Sequence, residues 1–299
     1  MRNQLIFPST LLAAALPPVA AYAVPPPQPV ADMISAAAGS PETLKAVVET
    51  AKKTNPGSVA EIDAQVASLA KEAEAARVAK IESQDAWEGW GGEGSLGAFI
   101  STGNVEDNGV AAGLKFAKET LRWRHQFDLA ADYEETSDVV VKERYFAGYA
   151  ANYKFSERFY AVGVLSAEKD KFAGFKSRFT ESVGLGYRVI DRETLKLSFE
   201  GGPALRQTDF YDVGSDSTVS GRVAGAFQWT IWPGTVFTQT AAAYVESSNS
   251  TLDAISAVTT KLQGDLSARA SFDYRYEASP PPGREKTDTT TRMTLVYSF

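Results

Sequence analysis

Basic side chains recur at every second position along several stretches of this chain. Arg122 and Arg124, Lys142 and Arg144, and Lys176 and Arg178 are such pairs. Lys115, Arg188, Lys196, Arg206, Arg222, Arg269, Arg275 and Arg292 lie in stretches with the same alternation. On an extended strand, residues two apart share a face, so each stretch projects cations to one side. Closed into a ring, such strands would line a cavity with arginine and lysine, which is how anion pores are built. Acids in the same phase are fewer: Asp128, Asp132, Glu134, Glu200, Asp273 and Glu277. They can neutralise only some of the cations. The rest would need water or a bound anion, because an unpartnered buried charge is strongly unfavourable.

Other chemistry is thin. There is a single histidine and no cysteine, which excludes a disulfide framework, thiolate catalysis and a multi-histidine metal site. His125 is in phase with Trp123 and Phe127, without a base or nucleophile beside it, and reads as an interfacial ring. Gly89, Gly91, Gly92 and Gly94 precede a strand rather than a helix, so they do not make a phosphate loop. The Asp and Asn residues within 101–108 suit turns better than a calcium site. We therefore expect no catalytic residue, metal or cofactor, and a protein that is not an enzyme. A net charge of −7 argues against nucleic acid as a partner.

The strands that must carry these cations begin near Trp87. From there aromatics become frequent and apolar residues recur with period two. In 121–133, Leu121, Trp123, Phe127, Leu129 and Tyr133 oppose Arg122, Arg124, Gln126, Asp128 and Asp132. The same rule holds in 195–206, 219–231 and 266–277. Further strands are predicted at 92–102, 108–118, 139–155, 158–168, 175–190, 235–246, 251–262 and 287–299. Alternation does not fix the phase of 158–168 or 235–246, and Glu181 falls on the apolar phase of 175–190. Tight links such as Pro233-Gly234 and Gly264-Asp265 alternate with longer polar ones such as 278–286. These features predict an all-β fold: a transmembrane antiparallel up-and-down barrel of about twelve strands, with short periplasmic turns and longer external loops. Its apolar face would meet lipid and its charged face the lumen. A soluble sandwich would invert that assignment, but the interfacial placement of Trp and Tyr favours the membrane. The last strand sets Met293, Leu295, Tyr297 and Phe299 on one face and ends on the aromatic, like the signal read by barrel-assembly machinery.

The first 86 residues differ. Arg2, an apolar stretch and Ala21-Tyr22-Ala23 read as a signal peptide over 1–23, which implies export. Residues 24–86 read as a Pro-rich linker and a helical periplasmic segment. One helix starts at Pro41 and ends at Asn55-Pro56-Gly57. A second is capped by Ser58 with Glu61. Val59, Ile62, Val66, Leu69, Ala73 and Ala76 form a short seam on it. That seam either folds back on its own hairpin or the barrel mouth, or binds a periplasmic partner or another copy through 58–80.

The segment Trp90-Gly91-Gly92-Glu93-Gly94-Ser95-Leu96-Gly97, followed by Ser101-Thr102-Gly103-Asn104, is similar to the opening of the salt-induced outer-membrane protein family, the YdiY-like domain of unknown function. Gly184-Leu185-Gly186-Tyr187-Arg188, Glu200-Gly201-Gly202-Pro203 and Lys286-Thr287-Asp288 resemble its internal signatures. The resemblance covers about 87–299. It implies an outer-membrane barrel linked to salt or osmotic response, and supplies no catalytic residue. The sequence thus predicts a passive, narrow, porin-like channel or solute-binding lumen with anion preference. Arg122, Arg124, Lys142, Arg144, Arg178, Arg206, Arg222, Arg269, Arg275 and Arg292 would line it. A closed structural barrel, or a barrel that tethers the helical segment to a partner, remains open beside that reading.

Overall fold

A computed structural model describes residues 24–102, 107–136, 139–171, 173–211, 214–247, 249–280 and 283–299. The expected signal peptide, and much of the 101–108 turn, lie outside them. The chain divides into two compact units near residue 80.

The N-terminal unit is helical. Helices α1 (Gln28–Ala37), α2 (Pro41–Thr54) and α3 (Val59–Glu82) are joined by short turns. Ser40 caps α2 by accepting from the Thr43 backbone N–H, and Pro41 takes the first helical position, where a missing N–H costs nothing. Ile34, Ala51 and Ile62 form the buried centre, with Val30, Leu44, Val47, Val48, Val66 and Leu69 around them. The first half of the predicted seam therefore packs on its own unit.

The C-terminal unit is a barrel. Its strands are β1 (Trp90–Thr102), β2 (Asp107–Glu119), β3 (Trp123–Thr136), β4 (Val139–Lys154), β5 (Phe159–Asp170) and β6 (Phe175–Asp191). They continue as β7 (Leu195–Phe210), β8 (Ser215–Trp232), β9 (Thr235–Val245), β10 (Thr251–Gln263), β11 (Leu266–Glu277) and β12 (Thr287–Ser298). Each strand pairs antiparallel with its chain neighbours, and β1 pairs with β12 to close the ring, which leaves no unpaired edge. Closure runs to the last residue: Gly92 and Phe299 exchange two backbone hydrogen bonds of 2.9 Å. The Phe299 ring lies over Gly92, where a Cβ would collide with it, and meets Phe116 edge-on at 5.9 Å. The glycine-rich start of β1 thus accommodates the terminal aromatic.

One rim carries the barrel's chain ends and the tight turns. Gly234 and Gly264 take positive φ there, a conformation that glycine adopts without a Cβ clash. The other rim carries the longer connections. The predicted inversion holds. Trp123 is 43% exposed and Phe199 50% exposed on the outer face, whereas inward Arg178 is only 7% exposed. Outer aromatics gather at the short-turn rim, where Trp123 meets Tyr153 at 5.0 Å and Phe159 meets Tyr187 at 4.6 Å. The inner face is not purely polar: Phe99, Val162, Phe175 and Val296 are buried on it.

Candidate functional site in the barrel lumen

Toward the longer loops, the inward charges form a connected lattice. Arg275 on β11 donates to Glu168 on β5 at 2.7 Å, to Asp170 at 3.3 Å and to Asp253 on β10 at 2.8 Å. Strands β5 and β11 are diametrically opposed in the strand order, so this guanidinium bridges the lumen. Arg144 on β4 adds a 2.7 Å bond to the same Glu168 oxygen and reaches Asp132 at 3.6 Å. Arg292 on β12 holds Asp132 at 2.6 Å and also pairs with Asp273. Arg178 meets Glu277 across the lumen at 3.0 Å and lies 4.1 Å from the Phe175 ring centre. Arg206 pairs with Glu246, bonds Thr251 at 3.0 Å and lies over Tyr244. Planar, many-donor guanidinium groups suit such sharing, because one arginine can serve several carboxylates in fixed directions.

Toward the short turns, the charges are more sparsely paired. Arg269 grips Glu93 through two bonds, of 2.7 and 2.8 Å. Lys154 reaches Glu119 at 2.9 Å, and Lys115 stands 3.9 Å from Asp128. Arg124, Lys196 and Lys261 share the inward phase, and among the described residues none of them is in an ion pair. This mouth is therefore the electropositive part of the lumen. The lattice above it carries at least as many acids as bases among the described residues.

Between the two lies a layered contact. Tyr160 on β5 crosses β6 at Gly186, where a Cβ would strike its ring, and donates to Glu200 on β7 at 3.1 Å. The other Glu200 oxygen accepts from Arg222 on β8 at 2.9 Å. Gly184 and Gly202 approach so closely across β6 and β7 that a Cβ on either would meet the other strand's backbone. The two glycine-bearing segments quoted above thus sit side by side. Beside them is a cavity of about 290 Å³ on the β7–β10 side of the lumen.

Most of the predicted lining residues face inward: Arg124, Arg144, Arg178, Arg206, Arg222, Arg269, Arg275 and Arg292. Arg122 does not. It lies in the turn before β3, exposed, and donates to the hydroxyl of Tyr153, which belongs to the outer phase. The tight turn breaks the alternation that placed it in the lumen. The Lys142 and Glu134 side chains lie outside the described residues, although their backbones are paired. Lys176 sits at the longer-loop rim, 3.9 Å from Asp209. The inward acids Glu93, Glu119, Glu168, Asp170, Glu246 and Asp253 were not anticipated. Glu93 is in phase with buried Phe99, which masks the pattern, and Asp170 lies past the expected strand end. Glu181 is exposed on the outer face between Leu165 and Leu205. His125 also lies on that face, stacked beside Trp123 and bonded to the Tyr149 hydroxyl at 2.8 Å. Met293, Leu295, Tyr297 and Phe299 are all exposed.

A family model described as a protein of unknown function, DUF481, matches residues 94–299. An uncharacterized protein YdiY from Escherichia coli K12 is 24% identical over 170 residues, covering 56% of this chain and 67% of that protein. Among solved structures, the NanC porin superposes with a TM-score of 0.50 at 10% identity, over 69% of this chain and all of the porin. An outer-membrane channel from Pseudomonas putida F1 gives 0.44 at 10% identity, over 73% of this chain and all of that one. The likeness to the NanC porin is one of barrel fold.

Proposed function

Since this chain belongs to the DUF481 family, whose matched region is the barrel itself, we propose that it is a passive outer-membrane conduit or solute-binding lumen. The lumen is narrowed by its ion-pair lattice and prefers anions at its short-turn mouth. The observation that carries this reading is the set of cations at that mouth: Lys196 and Lys261, neither in an ion pair among the described residues, and Arg124, which faces Glu119 on β2 without a salt bridge. Such charges attract anions at close range, where salt screens them least. Short turns face the periplasm in barrels of this type, so the mouth and the helical unit belong on that side. A place in salt or osmotic response rests on the sequence resemblance.

Reversal potential across a planar bilayer under a KCl gradient tests the proposal. The expected sign is that of chloride preference, shifting toward potassium in the double variant K196E/K261E. Cation preference in the native chain would overturn the anion reading. A second reading is favoured by the bridge from Arg275 to Glu168: the lattice closes the lumen and the barrel is structural. Silent bilayers containing folded protein would decide for it.

A further inference from the structure

The lumen has one side built small. Ala224 and Ala226 on β8 and Ala242 on β9 face inward, opposite Ser198 and Glu200 on β7 and Asp253 on β10. Elsewhere the inward phase carries Phe99, Phe146, Tyr160 and the arginines. The small residues leave the cavity of about 290 Å³, and polar groups converge on it. Arg222 lines it, and its Nε–H is buried with no acceptor. Among the described residues, the Nη1 of Arg222 donates to the Glu200 carboxylate at 2.9 Å. Glu200 is held on both oxygens, by Arg222 and by the Tyr160 hydroxyl. Asp253 receives Arg275 on one oxygen, and its side chain stays 42% exposed. A buried donor without an acceptor is costly, and a ligand oxygen would relieve it.

Charge decides the class of ligand. Glu200 already faces Arg222, and Asp253 shares Arg275 with Glu168 and Asp170, so no cation here lacks a carboxylate partner. A free anion would meet two carboxylates, and an ammonium would compete with guanidinium groups already in place. Neutral hydroxyls both donate and accept, so they can join these pairs without displacing them. The Ala224, Ala226 and Ile255 wall offers an apolar surface to the C–H face of a ring. We infer that the Arg222–Glu200–Asp253 cavity is a binding subsite for a neutral polyhydroxylated solute, one sugar unit or a polyol. This rests on the solute-lumen reading above.

Saturation-transfer NMR on the full chain in detergent micelles tests it, with glucose and sorbitol as probes and glucuronate and glycine as charged comparisons. Saturable transfer from glucose or sorbitol is expected, with at least tenfold weaker binding in Ala242→Leu. Ala224→Leu serves as a second cavity-filling variant if the first fails to fold, as judged by far-UV circular dichroism. Neither change replaces a charged residue. Absence of saturable binding by both neutral probes would overturn the inference. So would binding unchanged by the folded cavity-filling variant, or tighter binding of glucuronate or glycine. Conductance from the same preparations keeps the two proposals apart. Current without sugar binding sinks the subsite alone, and sugar binding without current sinks the conduit alone.

Discussion

Among single residues, Arg275 donates hydrogen bonds to three carboxylates. Its guanidinium holds Glu168, Asp170 and Asp253 from two sides of the lumen. Arg275→Met would leave those carboxylates short of a cation in an enclosed site. Breaking a buried pair by removing one member costs about 3–5 kcal/mol. The urea midpoint of the folded barrel in detergent should fall accordingly, and R275M/E168Q should regain part of the loss. A midpoint unchanged by R275M would mean that the lattice adds nothing to stability. The arginines of this lattice were legible in the sequence because each sits in an alternating stretch. Their acids were less so. Glu168 lies on a strand whose inward phase also carries Tyr160, Val162 and Val164, so polarity alternates too weakly there to assign a side. Asp253 shares its face with Ile255 and Ala257 for the same reason. The excess of inward cations shrinks once these acids are counted, and what remains of it lies at the short-turn mouth.

At the scale of elements, all twelve strands were readable, with ends displaced by a few residues. Period-two alternation survives because lipid and lumen impose opposite demands on the two faces. The bulges were not readable. Register shifts near Glu134, Asp170, Lys176, Val189, Ile231 and Leu262 depend on pairing with another strand, which one strand's own sequence does not record. Helix α1 was also missed, because the prolines before it read as extended linker, whereas Pro27 immediately precedes the helix. Strand β6 holds the clearest local conflict. Glu181 stands among Leu165, Leu205 and Val183 on the face turned to lipid. A cation at mid-bilayer costs about 2–4 kcal/mol there and a carboxylate less. Glu181→Leu should therefore stabilise the barrel by about 1–2 kcal/mol, read from unfolding midpoints in lipid vesicles. An equal or lower midpoint would show that something other than hydrocarbon surrounds this carboxylate.

For the whole molecule, the decisive property is which face of the closed sheet meets water. The chain has no cysteine, so single-cysteine reporters can test this without a background to remove. Val219 is 74% exposed and its neighbour Ser220 only 5%. In an ordinary soluble barrel the apolar residue would be the covered one, because burying apolar area drives folding in water. Here the apolar residue faces outward and the polar one inward, which is stable only if hydrocarbon replaces water outside. Val219→Cys and Leu96→Cys in vesicles should react with a membrane-permeant maleimide and resist a charged, impermeant one. Lys196→Cys and Lys261→Cys, at the electropositive mouth, should react with the charged reagent once it has access to the short-turn side. Detergent should change the first pair and leave the second largely unchanged. Rapid labelling of Val219→Cys by the charged reagent in intact vesicles from both sides would place the outer face in water. The membrane assignment, the conduit and the sugar subsite would then lose their common basis.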